Sequence, residues 1–195
     1  MYRTVMNDRR QALLDAALRV LAAQGMRGLT HRAVDTEAGL PSSSCNYYFR
    51  SRAALVGGCV DRLLELERAD HPAVAEPSSA EELYDALADD IVTMVTVDRG
   101  RLLARYELHL AAARDPQLRQ VMRRASRAAD QWDAQQFAAH GITDSEAAAA
   151  GLSALIDGLV FTALLQDTED PEALRVRARA AIAAHLTLRT AGASR

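Results

Sequence analysis

The chain has 195 residues, 49% apolar and 25% charged, with only 10 Gly and 5 Pro, a composition that excludes a disordered or collagen-like polymer and describes a folded chain with a sizeable core. Its formal net charge of −3 argues by itself against a polyanionic partner, yet residues 1–52 hold eight Arg against four acids while the remainder holds 15 Arg against 22 acids. A basic head on an acidic body suits a protein whose head alone meets phosphate; the plain alternative is charge scatter.

Alanine dominates the apolar set, β-branched residues are sparse and no strand pattern appears, so the expected class is all-α. Residues 1–10 lack the apolar run of a signal peptide, and Cys45 and Cys59 are then expected to be free thiols in a reducing, cytoplasmic setting.

Taken in order, about nine helices are expected. The first runs from Asn7 as N-cap, with Leu13, Ala17, Val20 and Leu21 on one face, to Gly25 as its stop. Thr30 caps a short second helix to Ala38, Gly39 supplies a turn, and a third short helix covers 42–48. Ser51 caps a fourth carrying Leu55, Cys59, Leu63 and Leu66, which ends near His71-Pro72. Residues 71–79, with Pro72 and Pro77, read as a linker. Ser79 with Glu82 forms a capping box for a fifth helix through Leu83, Leu87, Ile91 and Val95. A sixth spans 102–114, and Asp115-Pro116 opens a long seventh to His140-Gly141. Thr143 with Glu146 makes a second capping box for an Ala-rich eighth helix, and Asp170-Pro171 opens the last. The eighth, over 147–165, is apolar and long enough to span a membrane, but Asp157 near its middle and acidic flanks favour a helix buried in a core or interface.

Residues 30–49 carry the chemistry. Two short helices across a Gly turn are the helix-turn-helix arrangement, whose second helix enters the major groove. Ala33, Val34, Ala38, Leu40, Cys45 and Phe49 are the expected inward face, because helices this short need neighbours to stay folded. Ser42, Ser43, Ser44, Asn46 and Tyr47 then face outward with hydroxyl, amide and phenol groups able to bond base edges or phosphates. The competing view is a merely polar surface on a helical corner. Arg3, Arg9 and Arg10 are either a DNA-following arm or a solvated tail.

These residues carry a resemblance to the TetR family of transcriptional regulators. It rests on Gly28-Leu29-Thr30, Ala38-Gly39-Leu40 and Tyr48-Phe49-Arg50-Ser51-Arg52 with Leu55 beyond. Tyr106-Glu107-Leu108, Arg114-Asp115-Pro116 and Asp157-Gly158-Leu159 match more loosely. The resemblance implies a three-helix DNA-binding domain (1–52) joined by the fourth helix to a ligand-binding and dimerisation bundle (53–195). Thr30, Arg32, Tyr48 and Arg52 would meet DNA beside Ser42, Ser43, Ser44, Asn46 and Tyr47. Three residues depart from the family pattern: Asn46 for Tyr, Cys45 for Leu and Ser43 for a common Gly.

In the body, the resemblance implies dimerisation through the last two helices, with Gly151, Leu155, Gly158, Leu159, Ile182 and Leu186 as the expected interface. The middle helices would enclose an unidentified small molecule, with Met94, Tyr106, His109, Met122, Trp132 and Phe161 as lining residues or plain core. Arg119, Arg123 and Arg127 form a row that attracts an anion or pairs with Asp115, Asp130 or Asp133. The expected partners are a double-stranded DNA operator, the small-molecule effector and a second copy, with no membrane, cofactor, metal or enzymatic role. Glu107 and His109 stand two apart on a helix and cannot form a catalytic dyad. A redox sensor built on Cys45 and Cys59 is disfavoured by their apolar-periodic positions. The favoured function is a ligand-responsive repressor of a palindromic operator; the alternatives are a helical small-molecule binder and an activator with altered DNA binding.

Overall fold

The computed structural model describes residues 2–70, 79–139, 141–166 and 170–190, with side chains from residue 8 to 69 and up to 187 at the C-terminal end. Among these residues all regular structure is helical: α1 Tyr2–Gly28, α2 His31–Glu37, α3 Ser44–Tyr48, α4 Arg52–Asp70, α5 Ala80–Thr96, α6 Arg99–Arg114, α7 Pro116–Ala139, α8 Ser145–Leu165 and α9 Pro171–Thr190. Of the linker expected at 71–79, residues 71–78 lie outside the described residues.

Most boundary signals act as expected. The Thr30 hydroxyl accepts the Ala33 N–H at 3.1 Å, the Ser51 hydroxyl that of Ala54 at 3.1 Å, and the Ser79 hydroxyl that of Glu82 at 3.2 Å. Asp115 Oδ1 accepts from Gln117 and Leu118, and Asp170 from Glu172, each carboxylate serving the helix that its proline opens. Other boundaries differ in part. α1 begins at Tyr2, ahead of Asn7, and α6 begins at Arg99, ahead of Leu102. Gly25 does end the regular turn of α1: its φ of +64° breaks the helix, which resumes for three residues. Thr143 does not hold the N-cap position that the expected Thr143–Glu146 capping box requires. Asp144 is the N-cap of α8, in the left-handed region at φ +54° and without a side-chain cap bond, following the positive-φ turn at Gly141.

The chain divides into two compact units that do not follow it linearly: Met1–Asp70 with Gly100–Ala125, and His71–Arg99 with Ser126–Arg195. In unit 1 the core joins Leu13, Leu14, Leu21, Leu29, Val34 and Leu55 to Ala104 and Leu108 of α6 and Leu118 of α7. The head is thus built on α6 as well as on α1 and α4. The units also separate charge more sharply than the linear sequence does. Unit 1 holds 16 Arg and 10 acids, unit 2 holds 7 Arg and 16 acids.

In unit 2, α9 packs against both α5 and α8. Leu174, Ala178, Ile182 and Leu186 of α9 are buried, with Leu83 and Ile91 of α5 and Leu152 and Val160 of α8. Arg175 bridges Asp89 at 2.6 Å and Asp85 at 3.1 Å, and Arg179 bridges Asp85 at 2.8 Å and Glu81, an ion ladder along the α5–α9 seam. α8 is long and apolar enough to cross a membrane, yet it folds into this unit; 28% of its apolar window is buried within the chain.

Candidate nucleic-acid interface

The α2–α3 pair is assembled by backbone chemistry that the sequence only partly advertises. After α2, Gly39 takes φ +64°, its N–H reaches the Thr36 carbonyl at 3.1 Å, and the Leu40 N–H reaches that of Asp35 at 3.0 Å. This is a Schellman closure, and it turns the chain towards α3. α3 has five residues, too few to hold its own N-terminus. Asp35 does that instead: its carboxylate accepts the N–H of Ser43 at 2.8 Å and of Cys45 at 2.7 Å. Asp35 is only 4% exposed, and is the buried charged residue of the described core. A charged acceptor on unsatisfied helix-start donors is favourable through both the hydrogen bonds and the helix dipole.

Asp35 was missed in the sequence because Val34 and Ala38 account for the inward side of α2, and a carboxylate beside them reads as solvent-facing. No local signal marks it, because a serine stands at the N-cap position of α3, where serine ordinarily caps by itself. Ser43 sits there at φ +77°, makes no side-chain cap bond, and delays the start of α3 to Ser44 rather than Ser42. The family's common Gly at this place is explained by that backbone angle. At the other end His31 Nε2 donates to the Phe49 carbonyl at 2.7 Å and ties α2 to the close of α3.

The inward face is as expected: Val34, Cys45 and Phe49 are buried, with Ala33, Ala38 and Leu40 packed against the same core. Of the residues expected to meet DNA, Thr30, Arg32, Ser42, Ser43, Asn46, Tyr47 and Arg52 are exposed, and Ser44 and Tyr48 are half-buried. Tyr47 is 64% exposed and stands edge-on to Tyr48, ring centroids 5.1 Å apart. The Ser44 hydroxyl donates to the Pro41 carbonyl at 2.6 Å, so it has local work besides any base contact. Arg52 likewise donates to the carbonyls of Leu29 and Met26, holding the end of α1 and the approach to α2. Of the N-terminal arginines, Arg10 lies over the Phe49 ring at 5.3 Å and Arg9 is exposed. The side chain of Arg3 lies outside the described residues.

Both cysteines are free and buried. Burial, reinforced by the Asp35 charge, pushes the Cys45 thiol up to about 11; burial, reinforced by Cys45, pushes Cys59 up to about 12. A thiol so protonated is a poor nucleophile and a poor redox sensor.

The expected ligand-lining residues are divided between the units. Tyr106, His109 and Met122 belong to unit 1, where Met122 packs against the head's core. Met94, Trp132 and Phe161 belong to unit 2, where Phe161 is 51% exposed. His109 Nδ1 donates to the Arg105 carbonyl at 2.8 Å. In the arginine row, Arg119 donates to the Ala112 and Ala113 carbonyls at the end of α6, while Asp130 accepts from Ser153 at 2.9 Å; the row is not closed by Asp115 or Asp130.

The interface residues also divide. Ile182 and Leu186 are fully buried inside unit 2 and offer no surface to a partner, a correction to their expected place. Gly151 serves the chain's own α9: a Cβ there would stand 2.4 Å from the His185 ring. Gly158 faces open space, with Leu155 and Leu159 half-buried beside it.

Comparison with known proteins agrees with this architecture. Residues 13–59 match the family described as "Bacterial regulatory proteins, tetR family", and residues 78–188 match "Tetracyclin repressor-like, C-terminal domain". A solved TetR-family member from Streptomyces coelicolor A3 is 34% identical, with 91% of this chain and 98% of that one covered at a TM-score of 0.71. The multidrug binding protein EbrR, solved with ethidium, is 32% identical over 91% of this chain and 98% of its own, with a TM-score of 0.69. A TetR-family regulator from Rhodococcus sp., 24% identical, shares the fold over 92% of this chain and 99% of its own at a TM-score of 0.77. An HTH-type transcriptional regulator from the dhlA 5′ region of Xanthobacter autotrophicus is 36% identical over 69 residues; the match spans 34% of this chain and 34% of that protein. The chain belongs to the TetR family of transcriptional regulators, with a DNA-binding helix-turn-helix at its head.

Proposed function

We propose that this chain is a ligand-responsive repressor that works in the cytoplasm as a homodimer, binds a palindromic operator and is released by a small-molecule effector. The observation that carries the DNA half is the exposed row Ser42, Ser43, Asn46 and Tyr47, on the approach to and along a helix pinned by buried Asp35 within a unit rich in arginine. Asn46 is suited to adenine, and Thr30, Arg32 and Tyr48 to phosphates. Arg52 serves the same backbone while bracing α1.

Dimerisation is supported by the exposed apolar faces of unit 2: Ala154, Gly158, Phe161 and Leu165 on α8, and Ala173, Val176, Ala180 and Ala184 on α9. Two heads about 34–36 Å apart would read half-sites one helical turn apart. For the effector, EbrR supplies the first class to test, because its named ligands include ethidium, proflavin and malachite green, all aromatic cations. The acidic excess of unit 2 is compatible with that class. Effector binding would favour a body state whose heads no longer fit the operator, and operator DNA would then weaken effector binding by the same factor.

The test is fluorescence anisotropy with DNA from upstream of the chain's own gene. Asn46→Ala and Tyr47→Ala are expected to cost about 1–3 kcal/mol and to relax base preference. Arg32→Ala is expected to weaken all sequences alike and to lower the salt slope by about one. Ethidium should release the wild-type complex. Binding indifferent to sequence and to all three substitutions overturns the operator-reading function and leaves a helical small-molecule binder.

A further inference from the structure

Unit 1 contains a polar connection between α6 and the head that the repressor function leaves unused. At the Gly25 break, the Met26 N–H donates to Glu107 Oε2 at 2.8 Å. The approach is close: a Cβ on Gly25 would stand 3.0 Å from that same oxygen. The Met26 carbonyl accepts from the Arg52 guanidinium, which also donates to the Leu29 carbonyl. Leu29 is fully buried and immediately precedes Thr30, the cap of α2. Two residues earlier on α6, Arg105 pairs with Glu67 of α4 at 3.6 Å. A half-buried carboxylate on α6 is therefore joined to the start of the DNA-reading pair through the backbone of Met26 and one guanidinium.

We propose that Glu107 is a positioning residue: it fixes the α1–α2 junction, and a displacement of α6 reaches α2 and α3 by breaking its bond to Met26. This rests on the DNA-reading function above. The physical basis is leverage at a weak point. α1 is already broken at Gly25, so the three residues after the break take their orientation from what binds them. A carboxylate acceptor gives a stronger bond than a neutral one. Tyr106 and His109, which flank Glu107 in sequence, share a ring contact at 6.4 Å, so a ligand touching either moves the same turn of α6.

The experiment compares the full-length protein with Glu107→Ala and Glu107→Gln by amide hydrogen exchange, operator affinity and thermal melting. Loss of the bond in Glu107→Ala is expected to speed exchange at Met26 and through residues 31–48, and to weaken operator binding about tenfold. Glu107→Gln, which keeps an acceptor oxygen, should restore most of both. A purely structural role would lower the melting temperature without the affinity loss or the rescue, and that result overturns the proposal. So does faster exchange confined to residues 25–28. If the wild type binds no DNA specifically, the repressor reading fails, and the exchange pattern over 31–48 still decides whether Glu107 positions the head.

Discussion

The Asp35 carboxylate receives the backbone N–H of Cys45 at 2.7 Å across ten residues of chain, and that bond holds the recognition helix in place. Its second oxygen receives Ser43, which stands in the left-handed region at φ +77°. One buried acid therefore satisfies the start of α3 and stabilises a backbone angle that a serine adopts at a cost of about 1–2 kcal/mol.

Asp35→Ala is expected to destabilise the fold by about 3 kcal/mol, since two donors lose a charged acceptor in a buried place. Asp35→Asn keeps one acceptor and should fall between. Ser43→Gly should stabilise by about 1 kcal/mol by relieving the left-handed serine. Urea unfolding of the three variants checks the order. An Asp35→Ala protein as stable as wild type would remove Asp35 from its assigned part.

α4 holds two adjacent glycines with opposite uses. A Cβ on Gly58 would meet Leu14 Cδ2 and Phe49 Cε1 at 2.9 Å each, so this glycine lets α4 approach α1 and the end of α3. A Cβ on Gly57 would meet nothing within 4 Å. Gly58→Ala is expected to cost about 1–3 kcal/mol by overpacking, and Gly57→Ala to add about 0.5–1 kcal/mol through helix propensity. Thermal melting of the pair checks the signs; equal shifts would place α4 differently against the head.

What was legible in the sequence follows from how local each signal is. Caps at Thr30, Ser51, Ser79, Asp115 and Asp170 act within three residues, and each was read correctly. The inward face of the head follows from spacing. The α3 cap was not legible, because its acceptor comes from another helix. Nor was the fate of Ile182 and Leu186: an apolar row at i, i+4 on α9 fits either a partner or its own unit, and only the packing on α5 and α8 decides between them. Thr143 does not open the expected box because the left-handed Asp144 takes the cap position, and the pattern carries no backbone angle.

The two thiols give a pH prediction with a definite sign. Their folded values, about 11 for Cys45 and about 12 for Cys59, lie above the ordinary 9.0 because burial disfavours the thiolate. The folded state thus holds its protons more tightly than the unfolded state. The stability they contribute is complete below pH 9 and is lost as pH rises through about 11. Urea midpoints should fall between pH 9 and 11, and less steeply in Cys59→Ala. At pH 7.5 a thiol reagent should find no reactive group in the native protein and both once it is unfolded. Rapid native labelling would reopen a redox role.

The dimer prediction rests on which faces of unit 2 remain uncovered. Phe161 and Leu165 of α8 are 51% and 72% exposed, Val176 of α9 is 58% exposed, and Gly158, about one turn before Phe161 on α8, opens onto free space. Apolar side chains aligned at helical spacing around a small residue suit a close helix–helix contact, and leaving them in water is unfavourable. Phe161→Glu with Leu165→Glu sets like charges against each other across a two-fold axis, so sedimentation should shift from dimer to monomer with little loss of protomer fold. Ile182→Val, inside the protomer core, should instead cost about 1 kcal/mol of stability and leave the dimer intact. A doubly glutamate-substituted protein that stays dimeric would move the interface away from this face of α8. A monomeric wild type at micromolar concentration would remove the two-headed reading of a palindrome altogether.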